Sequence, residues 1–278
     1  MSDESRSNKA MQEFRVRTSG RPRPLPPGRW ALTQRWNDLL FAHWPVPPVD
    51  LAERLPEGLQ IDTFEGSAWL SVTPFWTDRI KIRGVPPLPG LRCFPELSLR
   101  TYVREQRTGL PGIYTFSLEV GSLLALLVGR TAQHLPCHWA DMRVEQRGER
   151  EISYFSRRRL TASPVIFQAR YRGLGPTRKT AEWRAGSLEY FLLERSCQFT
   201  SNHAGLTQRA NLHYVSWPLE AAEAQIEQNG LAEAIGIHLP LQPPVMHYSR
   251  RMAVYIWPAE LVRAKLTAHP VRVAVTPS

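Results

Sequence analysis

Cysteine, lysine and long apolar runs are all scarce in this 278-residue chain. The three cysteines, Cys93, Cys137 and Cys197, are odd in number, widely spaced and form no Cys-x-x-Cys pair. That excludes a disulfide framework and a zinc ribbon, and it fits a reducing, cytoplasmic setting. Lysine occurs four times, as Lys9, Lys81, Lys179 and Lys265, so an amine for covalent catalysis has few candidates. The longest apolar run, Leu123 to Val128, is far too short to cross a bilayer. The first 29 residues lack the apolar centre of a secretory signal. Helix-turn-helix, zinc-finger and RNA-platform signatures are missing too, so no specific nucleic-acid partner is expected despite a net charge of +10. The expectation is a soluble cytoplasmic protein with no membrane, cofactor or metal requirement. His134 and His138 flank Cys137, but Pro136 interrupts a helix there and no further close ligand accompanies them.

What the chain does have is 24 prolines, 17 glycines, nine tryptophans and 10% aromatic residues, a composition that favours a turn-rich, β-dominated α+β fold. Residues 1–29 carry a net charge of +4 and end in the run Arg21-Pro22-Arg23-Pro24-Leu25-Pro26-Pro27-Gly28. Such a segment buries too little apolar area to offset its ordering entropy, and it is expected to be a disordered basic tail. Residues 30–258 are expected to form a single domain, followed by a weakly specified extension over 259–278.

The most informative stretch runs from Phe94 to Val120. Leu97, Leu99, Thr101 and Val103 alternate with Glu96, Ser98, Arg100, Tyr102 and Arg104, which is the period of an extended chain with two distinct faces. After a turn holding Gly109, Pro111 and Gly112, Ile113 to Val120 alternates again. The pair is predicted to be a β-hairpin that gathers Glu96, Ser98, Arg100, Tyr102, Ser117 and Glu119 on one polar face. That face has two readings: the solvent side of an antiparallel pair, or the wall of a barrel interior where a carboxylate and a guanidinium meet a ligand.

Around it, Leu59–Phe64 and Ala68–Phe75 are predicted to pair through a turn at Glu65-Gly66, and the Pro-rich loop 85–90 is expected to rim a pocket. Helices are predicted over Val49–Leu55, over Gly121–Ala132, over Leu188–Leu193 with Ser187 as N-cap, and over Pro218–Gln228, where Leu219, Ala222 and Ile226 recur at helical spacing. Strands are expected at Met142–Gln146, Glu151–Arg157, Val165–Arg172, Leu212–Trp217 and His247–Trp257. Arg157-Arg158-Arg159 cannot share one face of an extended chain and is read as a solvated strand end.

Several stretches carry a family resemblance: Phe41-Ala42-His43-Trp44, Leu55-Pro56-Glu57-Gly58-Leu59, Thr73-Pro74-Phe75, Glu96 to Val103, Gly112 to Glu119, and His247-Tyr248-Ser249. In order and spacing, Trp30 to Trp257 resembles the YqjF-like family, which is grouped with the acetoacetate decarboxylase-like fold. The resemblance implies a partly closed β-barrel or cone around a cavity, with peripheral helices. In the decarboxylase relatives a Glu and an Arg accompany a lysine that forms a Schiff base with a β-keto acid. Glu96 and Arg100 sit at comparable strand positions, whereas the strand matching the lysine pair, Gly112 to Val120, contains no lysine.

The functional expectation is therefore a cavity binding a small anionic, carboxylate- or carbonyl-bearing metabolite. Arg100 would pair with the carboxylate, Glu96 or Glu119 would polarise or act as base, and Ser98, Tyr102 and Ser117 would orient the ligand. Two alternatives stand beside it. One is a lysine-dependent decarboxylase or lyase using Lys81, provided that Lys81 faces the cavity. The other is a non-enzymatic interaction or regulatory protein with a basic tail.

Overall fold

A computed structural model describes residues 23–179, 183–202, 204–214 and 218–262. The expectations for residues 1–22 of the tail, for Trp217 at a strand end and for residues 263–278 lie outside the described residues, as do Lys9 and Lys265.

Fourteen strands make up most of the described fold: β1 (Leu32–Val46), β2 (Leu59–Ile61), β3 (Ala68–Ile82), β4 (Cys93–Glu105), β5 (Pro111–Val120), β6 (Cys137–Arg147), β7 (Glu151–Arg158), β8 (Ile166–Gly173), β9 (Arg178–Lys179), β10 (Cys197–Ser201), β11 (Thr207–Tyr214), β12 (Pro218–Asn229), β13 (Val245–Ile256) and β14 (Glu260–Leu261). Three α-helices accompany them: α1 (Pro48–Ala52), α2 (Leu123–Ala132) and α3 (Leu188–Leu193). Ser187 caps α3 as its sequence predicts, accepting the Tyr190 amide at 3.2 Å, and Ser122 does the same for α2 with Ala125.

The strand pairings close two circuits. One is a nine-strand barrel, β1-β3-β4-β5-β6-β7-β8-β12-β13. The other runs β1-β3-β4-β5-β10-β11-β13. Strands β13, β1, β3, β4 and β5 belong to both, so they form a shared wall with an interior on each side. This is why β1, β3 and β4 read as long buried runs. Leu40, Ala42, Trp44, Leu70, Val72, Leu97 and Leu99 pack toward β7 and β8, against Tyr154, Phe167 and Tyr171. Phe41, Trp69, Phe75 and Tyr102 project from the opposite face toward α3, β11 and the end of β13.

Bulges reset the phase of these strands. In β1 the pairs Asn37↔Trp76 and Ala42↔Val72 leave one extra residue near Asp38, which has φ 49°. Its carboxylate accepts from Trp76 Nε1 at 2.8 Å and from the Tyr248 hydroxyl at 2.5 Å. In β5, Leu99 pairs with Ser117 and Arg100 with Thr115, so Phe116 is bypassed.

Two predicted elements are corrected. Pro218–Gln228 is not a helix but strand β12, in which Ala222, Ala224 and Ile226 alternate inward while Glu223 pairs with Arg172 and Glu227 with Arg170 across β8. The helix-favouring alanines and glutamates yield to the need for a strand between β8 and β13 to close the barrel. Leu59–Ile61 pairs with β4 rather than with β3, and only the Phe64↔Ser67 bridge joins the two sides of the Glu65-Gly66 turn. No helix among the described residues is long and apolar enough to cross a membrane.

Candidate functional site

The polar side of the central hairpin is buried. Glu96, Ser98, Arg100 and Tyr102 are each 9% exposed or less, so the solvent-face reading falls. They share the face of Phe75 and Trp69, and Ser71 and Thr73 lie directly across β3 from Arg100 and Ser98. Thr115 is Arg100's neighbour on β5, and His43 lies opposite Ser71 on β1. His247 of β13 pairs with Phe41, and their side chains join the same interior.

Two arginines are buried among the described residues, and they differ in their partners. Arg195 donates to Asp62 at 2.6 Å, and Asp62 also accepts from Arg104 at 2.7 Å. Arg100 has no carboxylate partner among the described residues. Its guanidinium carbon lies 5.3 Å from the centre of the Phe41 ring, and its Nε is buried with no hydrogen-bond partner. Burial lowers its pKa from the ordinary arginine value. A buried, unpaired cation is costly unless something anionic meets it, because the surroundings do not replace the lost water.

Two imidazoles stand close by. Tyr102 Oη lies 2.9 Å from His43 Nδ1, and His43 Nε2 is buried with no hydrogen-bond partner. His43 stacks parallel to Phe41 at 6.1 Å and lies 6.1 Å from His247. Burial, with His247 and Arg100 nearby, holds the His43 pKa well below the ordinary value, so the ring is neutral. Burial also lowers that of His247, which packs at 5.5 Å against Trp183 and has a buried, unpartnered Nδ1. Ser249 Oγ, next on the same face of β13, is buried and unpartnered as well.

Glu96 faces the end of this interior lying under α2. It lines a narrow cavity of about 60 Å³ with Leu32, Ile80, Phe94, Leu118 and Val120. Burial raises its pKa to about 8, and no cation offsets it. At neutral pH it is a carboxylic acid, able to donate as well as accept.

Three of the sequence-predicted residues lie elsewhere. The bulge at Phe116 turns Ser117 and Glu119 to the face of Leu97 and Leu99, away from Arg100. There Arg158 Nε donates to Glu119 at 2.9 Å and Ser117 Oγ lies 3.3 Å from the same carboxylate. Burial raises the Glu119 pKa while Arg158 opposes the rise. Arg158 is thus not part of a solvated strand end, although Arg157 and Arg159 are exposed. Lys81 is also exposed. It pairs with Thr33 on the outer face of β3 and borders a surface cleft of about 310 Å³ rimmed by the Pro-rich loop. An amine there has no access to Arg100, and Lys179, the other described lysine, is exposed too.

His43, His247 and the Asp62–Arg195 pair adjoin Tyr102 and one another in this interior, and sequence reasoning does not single them out. His43 and His247 fall in motifs that carry the family resemblance, but a single histidine inside a buried strand gives no local sign of its role.

Comparison with known proteins agrees with this architecture. The family model of DUF2071, described as an uncharacterized conserved protein, matches residues 33–253. Uncharacterized protein YqjF of Bacillus subtilis (strain 168) is 42% identical over 234 residues, covering 84% of this chain and 93% of that protein. Among solved structures, the enduracididine biosynthesis enzyme MppR complexed with pyruvate aligns with a TM-score of 0.59 at 11% identity, over 87% of this chain and 93% of that one. The acetoacetate decarboxylase of Legionella pneumophila subsp. pneumophila str. Philadelphia 1 gives 0.58 at 14% identity, over 88% and 93%. An acetoacetate decarboxylase-like enzyme from Sphingomonas wittichii RW1 gives 0.58 at 16% identity, over 87% and 98%. At such identities the likeness is one of fold.

Proposed function

This chain belongs to the DUF2071 family, and from its acetoacetate decarboxylase-like barrel we propose that it binds a small metabolite bearing a carboxylate next to a carbonyl. The observation that carries this reading is Arg100, a buried guanidinium with no carboxylate of its own among the described residues. A ligand carboxylate would supply the missing charge through a charge-assisted, two-pronged contact. Ser98 and Thr115 flank Arg100 on its own face, and His43 and Tyr102 provide further polar atoms. Glu96, uncharged below about pH 8 and set in its own cavity under α2, does not compete for the guanidinium. The pyruvate complexed with MppR is a ligand of this chemical class held by the same fold. Lys81 and Lys179, the two described lysines, are both exposed, so the proposed binding uses no Schiff base to either of them.

Calorimetric titration with pyruvate tests the reading. The wild type is expected to bind, and Arg100→Gln to bind at least about tenfold more weakly, since a hydrogen bond to a charged group contributes roughly 1.5–3 kcal/mol. Equal affinity in the two proteins would overturn the assignment of Arg100 to the carboxylate.

A further inference from the structure

Resting on that reading, we propose that His43 and His247 form a two-imidazole proton-transfer site acting on a bound 2-oxo carboxylate. The hydroxyl of Tyr102 lies 2.9 Å from His43 Nδ1, with Ser71 as its other neighbour, and in this proposal it donates to Nδ1. Donation to Nδ1 leaves the neutral ring protonated on Nε2, the atom that is buried without a partner. Parallel stacking on Phe41 at 6.1 Å fixes the plane of the ring. Burial, helped by His247 and Arg100 nearby, keeps His43 a neutral donor rather than an imidazolium. His247, 6.1 Å away and tilted by 58°, contributes a second neutral ring with a free Nδ1.

The two rings suit complementary tasks. With the carboxylate on Arg100, the adjacent ketone oxygen accepts from His43 Nε2–H. His247 Nδ1 takes a proton from the carbon on the other side of the ketone. The C–H electron pair becomes the C=C bond of the enolate, the carbonyl π pair moves to oxygen, and the negative charge is met by the His43 N–H and the guanidinium. Return of a proton from His247 to carbon restores the ketone, so the cycle needs no oxidant, reductant or second reactant. A hydrogen-bond donor thereby does what an iminium does in lysine-based activation of a ketone. Tyr102 is a positioning residue, since it sets which nitrogen of His43 carries the proton.

Proton NMR of pyruvate in D2O reads this directly as loss of the methyl signal. The wild type is expected to exchange the methyl protons above the buffer rate. His247→Gln should slow exchange by roughly 10²–10⁴-fold, the usual contribution of a positioned base. Nitrogen-15 NMR of the wild-type imidazoles gives a readout independent of turnover. His43 is expected to be neutral with its proton on Nε2 at pH 7, and Tyr102→Phe to shift that tautomer balance. Pyruvate that binds without exchanging, or a His43 protonated on Nδ1, overturns the proton-transfer role and leaves the binding reading intact. Pyruvate that does not bind at all overturns both.

Discussion

Replacing Glu96 by glutamine removes a carboxyl whose protonation is tied to folding. In the unfolded chain it titrates near the ordinary 4.5, whereas burial in the apolar cavity under α2 raises it to about 8. Between these values the folded protein holds a proton that the unfolded chain has released, so this group makes stability fall as pH rises through that window. Each pKa unit corresponds to about 1.4 kcal/mol, so the full cost of keeping Glu96 protonated approaches 5 kcal/mol above pH 8. It is close to 1 kcal/mol at pH 5 and about 3 kcal/mol at pH 7. Glu96→Gln has no such dependence. The stability difference between variant and wild type is therefore expected to grow in the variant's favour by about 3–4 kcal/mol from pH 5 to pH 8. Urea unfolding followed by tryptophan fluorescence at the two pH values measures it, and every other titrating group cancels in the difference. A gap of the same size at pH 5 and pH 8 would refute the argument, because it would mean that Glu96 is ionised in the fold.

Two further substitutions probe the scaffold around the site. Asp62→Asn strips Arg195 of its buried partner and is expected to cost roughly 3–5 kcal/mol in denaturant melts; retention of wild-type stability would show that the pair is not desolvated. Gly112→Ala would put a methyl group 2.5 Å from Phe199 Cε2 and 2.7 Å from the Cys197 carbonyl, where β5 and β10 run together. A loss of at least about 1–3 kcal/mol is expected, and an unchanged melting temperature would contradict the close approach that closes the second circuit.

The parts of this molecule that are legible in its sequence are those in which local pattern and tertiary role agree. The β4–β5 hairpin follows from strict alternation and a Gly- and Pro-containing turn, and α3 follows from an apolar run behind Ser187. The family resemblance extends the hairpin to a barrel, and burial of Glu96 and Arg100 turns their face inward. Where sequence and structure part, the cause is long-range. Alternation alone cannot register the bypass of Phe116, so it puts Glu119 and Ser117 one face away from where they lie. Ala222, Glu223 and Ala224 favour a helix, and only the gap between β8 and β13 makes them a strand. His43 acquires its meaning from Tyr102, 59 residues along the chain.

The bypass at Phe116 lets a single strand serve two chambers. Upstream of it, Ile113 and Thr115 face the chamber of Arg100; downstream, Glu119 opens onto the opposite one, where Arg158 neutralises it. Were β5 to continue its pairing without that bypass, Glu119 would fall opposite Glu96 instead of Leu97, setting two carboxyls side by side on one wall and leaving Arg158 without its partner.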